Sequence, residues 1–230
     1  MATTTLLRTV NGVDDIRAGI NSASLRRLLS IGSTWNQIRV GLRWCMQPGG
    51  TSLVGKRIFI GVCSGTANPW NNGSALTTHA VGWLSPTQGG YPNHGGTAPN
   101  TYYDTGGYNK ATKRVGTTET YSAGYLGQPG WWPATTDNRA IMHFITITKG
   151  SPNFTLETWA YQNPTGVVHI TKEQFLECVV LPSPSRSGYQ TSSTTLAVNE
   201  ATDGYLNTVN VAFEGGINME VCDLAVVRFA

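Results

Sequence analysis

The 230-residue chain carries a net charge of +3, and charged residues make up only 13% of it, about half the usual share. Its 40% hydrophobic content excludes intrinsic disorder, and a chain this long buries roughly 70% of its unfolded surface without staples. Basic residues cluster only briefly, at Arg26-Arg27 and at Lys110, Lys113 and Arg114, so no stripe suited to a nucleic-acid groove exists.

In chain order, residues 1–24 open with "MATTTLLRTVNG", which lacks the basic start and apolar stretch of a signal peptide. They read as an N-terminal arm with little reason to fold alone. Residues 22–30, "SASLRRLLS", place Leu25, Leu28 and Leu29 at helical spacing behind a serine that could cap them; a short helix and a strand fit equally. Strands are expected over 38–46, 57–63 and 80–84. Ile145-Thr-Ile-Thr148 alternates, Lys149-Gly-Ser-Pro-Asn153 turns, and Phe154-Thr-Leu-Glu157 resumes the alternation, which predicts an antiparallel hairpin. Further strands are expected over 175–181, 209–214 and 217–229. Val209, Val211 and Phe213 share one face while Asn210, Ala212 and Glu214 share the other, and Gly215-Gly216 turns the chain. The apolar phase slips near Cys222-Asp223, as at a β-bulge.

These signals predict an all-β fold: a two-sheet antiparallel β-sandwich (jelly-roll) with long loops and at most one or two short helices. The sandwich is a single domain over 25–230. No apolar run approaches the roughly 18 residues of a membrane span, so no membrane insertion is expected.

Residues 64–137 form a loop-rich aromatic insertion. All six Phe lie outside it, whereas its aromatics are only Trp and Tyr. Phe belongs in a core, while Trp and Tyr can keep one edge wet. The candidates for ligand or partner contact are therefore Trp70, Tyr91, His94, Tyr102, Tyr103, Tyr108, Trp131 and Trp132. Trp131-Trp132, between Gly130 and Pro133, could stack on a sugar or anchor a partner protein, and could equally plug one end of the sandwich.

Catalytic vocabulary is thin. Cys45, Cys63, Cys178 and Cys222 each sit in or beside an apolar run with no C-x-x-C pair, which suits buried free thiols. His79, His94, His143 and His169 lack zinc-ligand spacing, and His143 reads as a packed strand residue. Asn199, Glu200 and Asp203 could offer oxygens to calcium, but a polar turn explains them as well. There is no G-x-S-x-G elbow and no phosphate-binding loop. No cofactor and no metal are expected.

The segments "WNQIRVGLRWCM", "MHFITITKGSPNFTLETWAY" and "MEVCDLAVVRFA" resemble the concanavalin A-like, or laminin G-like, β-sandwich superfamily. The resemblance implies two curved antiparallel sheets with ligands taken by a concave face and its loops. Members bind glycans, cleave them, or serve as structural modules. The glucanases among them carry paired carboxylates spaced E-x-D-x-E on one strand, since glycoside cleavage needs an acid and a nucleophile. That spacing is absent. The remaining carboxylates, Glu157, Glu173 with Glu177, Glu200 with Asp203, and Glu220 with Asp223, read better as solvated residues. Alternation puts Glu220 and Asp223 on opposite faces unless the bulge realigns them.

The low-charge, Thr/Gly/Asn-rich texture is also similar to bacteriophage virion proteins, which fold in the host cytoplasm and then assemble. The expectation is a non-enzymatic structural component of a phage virion (surface, neck, tail or capsid-decorating). Its expected partners are other virion proteins, itself as a homo-oligomer, and a cell-surface glycan. The alternative is a carbohydrate-binding module or lectin-like adhesin, and a glycan-cleaving enzyme comes third.

Overall fold

Period-two alternation and β-branched residues build most of the described chain into strands. A computed structural model describes residues 4–18, 25–46, 58–64, 79–84, 110–115, 118–125, 141–161, 170–180, 189–199, 206–213 and 219–229. These hold strands β1 (Thr4–Ala18), β2 (Leu25–Ser30), β3 (Gln37–Met46), β4 (Ile58–Cys63), β5 (His79–Leu84), β6 (Lys110–Val115) and β7 (Thr118–Tyr125). After them come β8 (Ile141–Thr148), β9 (Asn153–Tyr161), helix α1 (Lys172–Val179), β10 (Tyr189–Ala197), β11 (Thr208–Phe213) and β12 (Met219–Phe229). The first sheet has the order β1-β12-β3-β8-β9-β10 and the second β2-β11-β4-β5-β6-β7. All pairings are antiparallel. The expected two-sheet antiparallel sandwich with one short helix is present.

The facing sides of the sheets fill the core. Ile38, Val40, Leu42, Ile145, Ile147 and Leu156 come from the first sheet, and Ile60, Val62, Val209 and Val211 from the second. Each of these ten is at most 1% exposed, so a truncation to Ala there would cost about 2–5 kcal/mol. Trp35 closes one end: its indole N–H donates to the Leu206 carbonyl at 2.6 Å, and its ring meets Phe154 edge-on.

Three sequence readings are revised and one open alternative is decided. Residues 175–181, read as a strand, lie largely within α1. Thr171 and Gln174 form a reciprocal capping box, and Phe175, Cys178 and Val179 fall on one buried face at helical spacing. Residues 1–24 are more than an arm, because β1 pairs along β12. Residues 22–30 resolve as strand β2 at their C-terminal end. Strands β6 and β7 lie inside the span read as loop-rich. The expected bulge is present between Val221 and Asp223.

The helix gives the first sheet a second buried face. Phe144, Trp159, Val227 and Phe229 point away from the sandwich core and pack with Phe175 and Val179 of α1. Phe144 and Phe175 stack at 5.6 Å, directly over Gly41. In the second sheet, Phe59, Cys63 and Asn210 also face away from the core, yet all three are buried. The centre of that outer face is therefore closed to solvent.

Candidate functional site

Backbone hydrogen bonds gather several connections at one end of the sandwich. The Lys149 N–H donates to Asn36 O, Val198 N–H to Pro152 O, and Ile31 N–H to Asn207 O. The β8–β9 turn is thereby tied to the segment before β3 and to the segment after β10. Gly150 is required in this turn, since a Cβ there would run into the Asn153 carbonyl. The Ser151–Pro152 peptide is cis.

Beside that turn lies a cleft of about 510 Å³. The first sheet contributes Lys149, Gly150, Ser151, Pro152 and Phe154 from the hairpin, and Ala197, Val198 and Asn199 from the end of β10. The second sheet contributes Lys113 of β6. The side chains thus meet where the two sheets part. Phe154 and Val198 are buried and floor the cleft, while Gly150, Ser151, Pro152 and Asn199 are exposed at its rim.

Lys149 is held in place. Its ammonium donates to the Ser33 carbonyl at 3.1 Å and sits 4.3 Å from the centre of the Trp35 ring. Lys113 is half-buried on the side of β6 that also carries fully buried Ala111. It is a charged residue at a core-facing position. Ser151, Asn199 and backbone amides and carbonyls supply neutral hydrogen-bonding groups. None of the described lining residues is Asp, Glu, His or Cys. Such a lining can hold a polar ligand, and the carboxylate pair that glycoside cleavage uses is not among its described residues.

Several of the described charged and titratable groups elsewhere are buried within the packing. Arg39 is 1% exposed under α1, where it donates to Thr146 Oγ1 at 3.0 Å and to the Val179 carbonyl at 2.9 Å. Its guanidinium lies 4.0 Å from the Trp159 ring centre and 4.7 Å from that of Phe229. Burial lowers its pKa to about 10, opposed by the Glu157 charge. Asp223, expected to be solvated, is instead buried at the bulge, where it accepts from Arg43 Nε at 2.5 Å. Arg43 also reaches the Ile170 carbonyl. Hydrogen bonds to its own backbone N–H and to the Thr171 side chain lower the Glu173 pKa. His143 is fully buried, and desolvation pushes its pKa down to about 3. Cys63 and Cys178 are buried free thiols. Among the described residues no three His, Cys, Asp or Glu come together as a metal site, and no helix is long and apolar enough to cross a membrane.

Trp70, Tyr91, His94, Tyr102, Tyr103, Tyr108, Trp131 and Trp132 all lie outside the described residues. So do Glu200 and Asp203 and the side chains of Cys45, Cys222 and Glu220. The cleft was missed in the sequence, where Lys149–Asn153 signalled only a turn. Lys113 registered as part of a short basic cluster, because β6 itself went unseen.

No family model matches the chain, and no curated protein matches it. Among solved structures, it is similar to the VIP36 exoplasmic/lumenal domain in its Ca2+/Man2-bound form, at 9% identity and TM-score 0.44, covering 99% of this chain and 80% of that one. Lectin II from Ulex europaeus is similar at 11% identity and TM-score 0.44, covering 99% and 92%. Peanut lectin with a nine-residue peptide is similar at 8% identity and TM-score 0.43, covering 100% and 92%.

Proposed function

We propose that the protein is a non-catalytic recognition domain that binds a saccharide in the cleft between the β8–β9 turn, the end of β10 and Lys113. The lining carries this reading. It combines hydroxyl, carboxamide, ammonium and backbone groups with an apolar floor, and no carboxylate is among its described residues. A sugar ring presents hydroxyls at its edge and C–H groups on its face, which matches that mixture. The volume falls within the range of about 300–1,000 Å³ usual for ligand pockets. Tethering of the turn to Asn36 and Val198 supports a preformed site, which lowers the ordering cost of binding.

Incubation with a mixed oligosaccharide pool, followed by mass spectrometry of the retained fraction, tests the proposal. A subset of glycans should be retained with no new reducing ends. Steady release of reducing sugar, or no retention, would refute it.

Assembly with other virion proteins is a second reading, compatible with glycan binding. The strand ends Leu84 and Lys110, which bound the 85–109 connector, lie next to each other in register. Tyr125, where the 126–140 connector starts, pairs with Lys110. The strand ends that bound these two connectors thus lie at one end of the second sheet. Low charge and the Thr/Gly/Asn-rich texture are its further supports.

A further inference from the structure

We infer that Lys149 is a positioning residue: with Trp35 it forms a strut that fixes the shape of the cleft, and it acts on a bound saccharide through the β8–β9 turn rather than through its charge. This rests on the glycan-binding reading above. Residues 31–36 cross from β2 in the second sheet to β3 in the first, and residues 206–207 end the crossing from β10 back to β11. Trp35, only 1% exposed, joins these two crossings through its indole N–H, which donates to the Leu206 carbonyl at 2.6 Å. Asn207 is tied in turn, its carbonyl accepting from the Ile31 N–H and its own N–H donating to the Cys63 carbonyl at the end of β4. The indole is thereby anchored to both sheets. Phe154, on the cleft floor, meets it edge-on at 6.2 Å, and the Lys149 ammonium lies 4.3 Å from its centre while donating to the Ser33 carbonyl at 3.1 Å. Floor and turn rest on the same ring. The Lys149 backbone N–H donates to Asn36 O, so side chain and main chain bind the turn to one segment. Holding a lysine this way costs rotamer freedom, and that cost falls on folding, before any ligand arrives. The turn that a saccharide meets is already in place. Without the strut it populates other arrangements, and only the competent fraction binds.

The test uses the full chain, a glycan retained from the oligosaccharide pool, and Lys149→Met, which keeps the side chain's length without its cation. Association and dissociation rates are measured separately, at low and high salt, well below the melting temperature of either protein. Lys149→Met should associate about tenfold more slowly, by the same factor at both salt concentrations, with its dissociation rate unchanged, because the competent fraction falls while the bound state keeps its contacts. The parent supplies a second measurement that holds even if the variant fails to fold. Its Lys149 Hε protons should resonate upfield under the Trp35 ring current and stay there when the glycan saturates the protein. Faster dissociation with unchanged association would show a direct contact, and a difference that vanishes at high salt would show charge steering. Either result overturns the inference, as does an upfield shift that is absent or is lost on saturation; all of these leave glycan binding standing. No retained glycan at all defeats the glycan reading and this inference with it.

Discussion

His143 shows what strand register does to a polar side chain. It pairs with Leu42 and so points into the sandwich core, where burial holds the imidazole neutral with a pKa of about 3. In the unfolded chain the same group titrates near 6.5. Between those values the unfolded state binds the extra proton, so stability falls as pH drops and is unaffected by this group above about pH 7. The full slope for one proton is about 1.4 kcal/mol per pH unit. Urea titrations between pH 7 and 4 should therefore show a shallower loss in His143→Gln than in the parent; identical slopes would show that His143 is not the buried neutral group described. The sequence placed His143 in a packed strand, and the structure agrees. It did not mark Arg39, because an Arg in the alternation of "QIRVGLRW" reads as a solvent-facing strand residue. Its burial depends on a helix more than a hundred residues away, and only the fold brings the Val179 carbonyl within its reach.

Among the elements, the β8–β9 hairpin was legible because alternation and turn chemistry agree within one short stretch. Helix α1 was not. Its "FLECVV" run is apolar and β-branched at the end, which imitates a strand, whereas the deciding signal was the Thr171–Gln174 capping box just ahead of it. Strands β7 and β10 were missed for the opposite reason. They are edge strands of their sheets, and "TETYSAGY" and "YQTSSTTLA" carry too few large apolar residues to show a period. Missing β6 hid the phase of Lys113, and with it the second sheet's contribution to the cleft. The helix–sheet contact has a direct test. A Cβ at Gly41 would lie 2.8 Å from the Phe144 ring and 3.1 Å from that of Phe175, and stacking of the two rings restricts their escape. Gly41→Ala should cost about 1–3 kcal/mol by overpacking, visible as a lower melting temperature. An unchanged melting temperature would mean that α1 rests on the sheet more loosely than the stacking implies.

For the molecule as a whole, the sandwich is buried on three faces: its core, the α1 side of the first sheet, and the centre of the second sheet's outer face. That last burial matters for function. The resemblance to concanavalin A-like proteins led to the expectation of a ligand on a sheet face, but the outer face of the first sheet packs under α1 and that of the second has Phe59, Cys63 and Asn210 buried at its centre. The opening lies instead at the end of the sandwich, where the sheets part around Lys113 and Lys149. Fold class could be read from periodicity because β3, β8, β9 and β11 each repeat the same local alternation. The cleft could not, since it joins a turn, a strand end and one core-facing lysine that are distant in sequence. Backbone amide chemical shifts of the 15N-labelled full chain, followed as a retained glycan is titrated in, test cleft binding most directly. Saturable shifts should concentrate at Lys149–Phe154 (residues 149–154), at 197–199 and at Lys113. Shifts confined to 85–109 and 126–140, with the cleft amides unmoved, would contradict the cleft as the binding site and return the contact surface to the aromatic connectors.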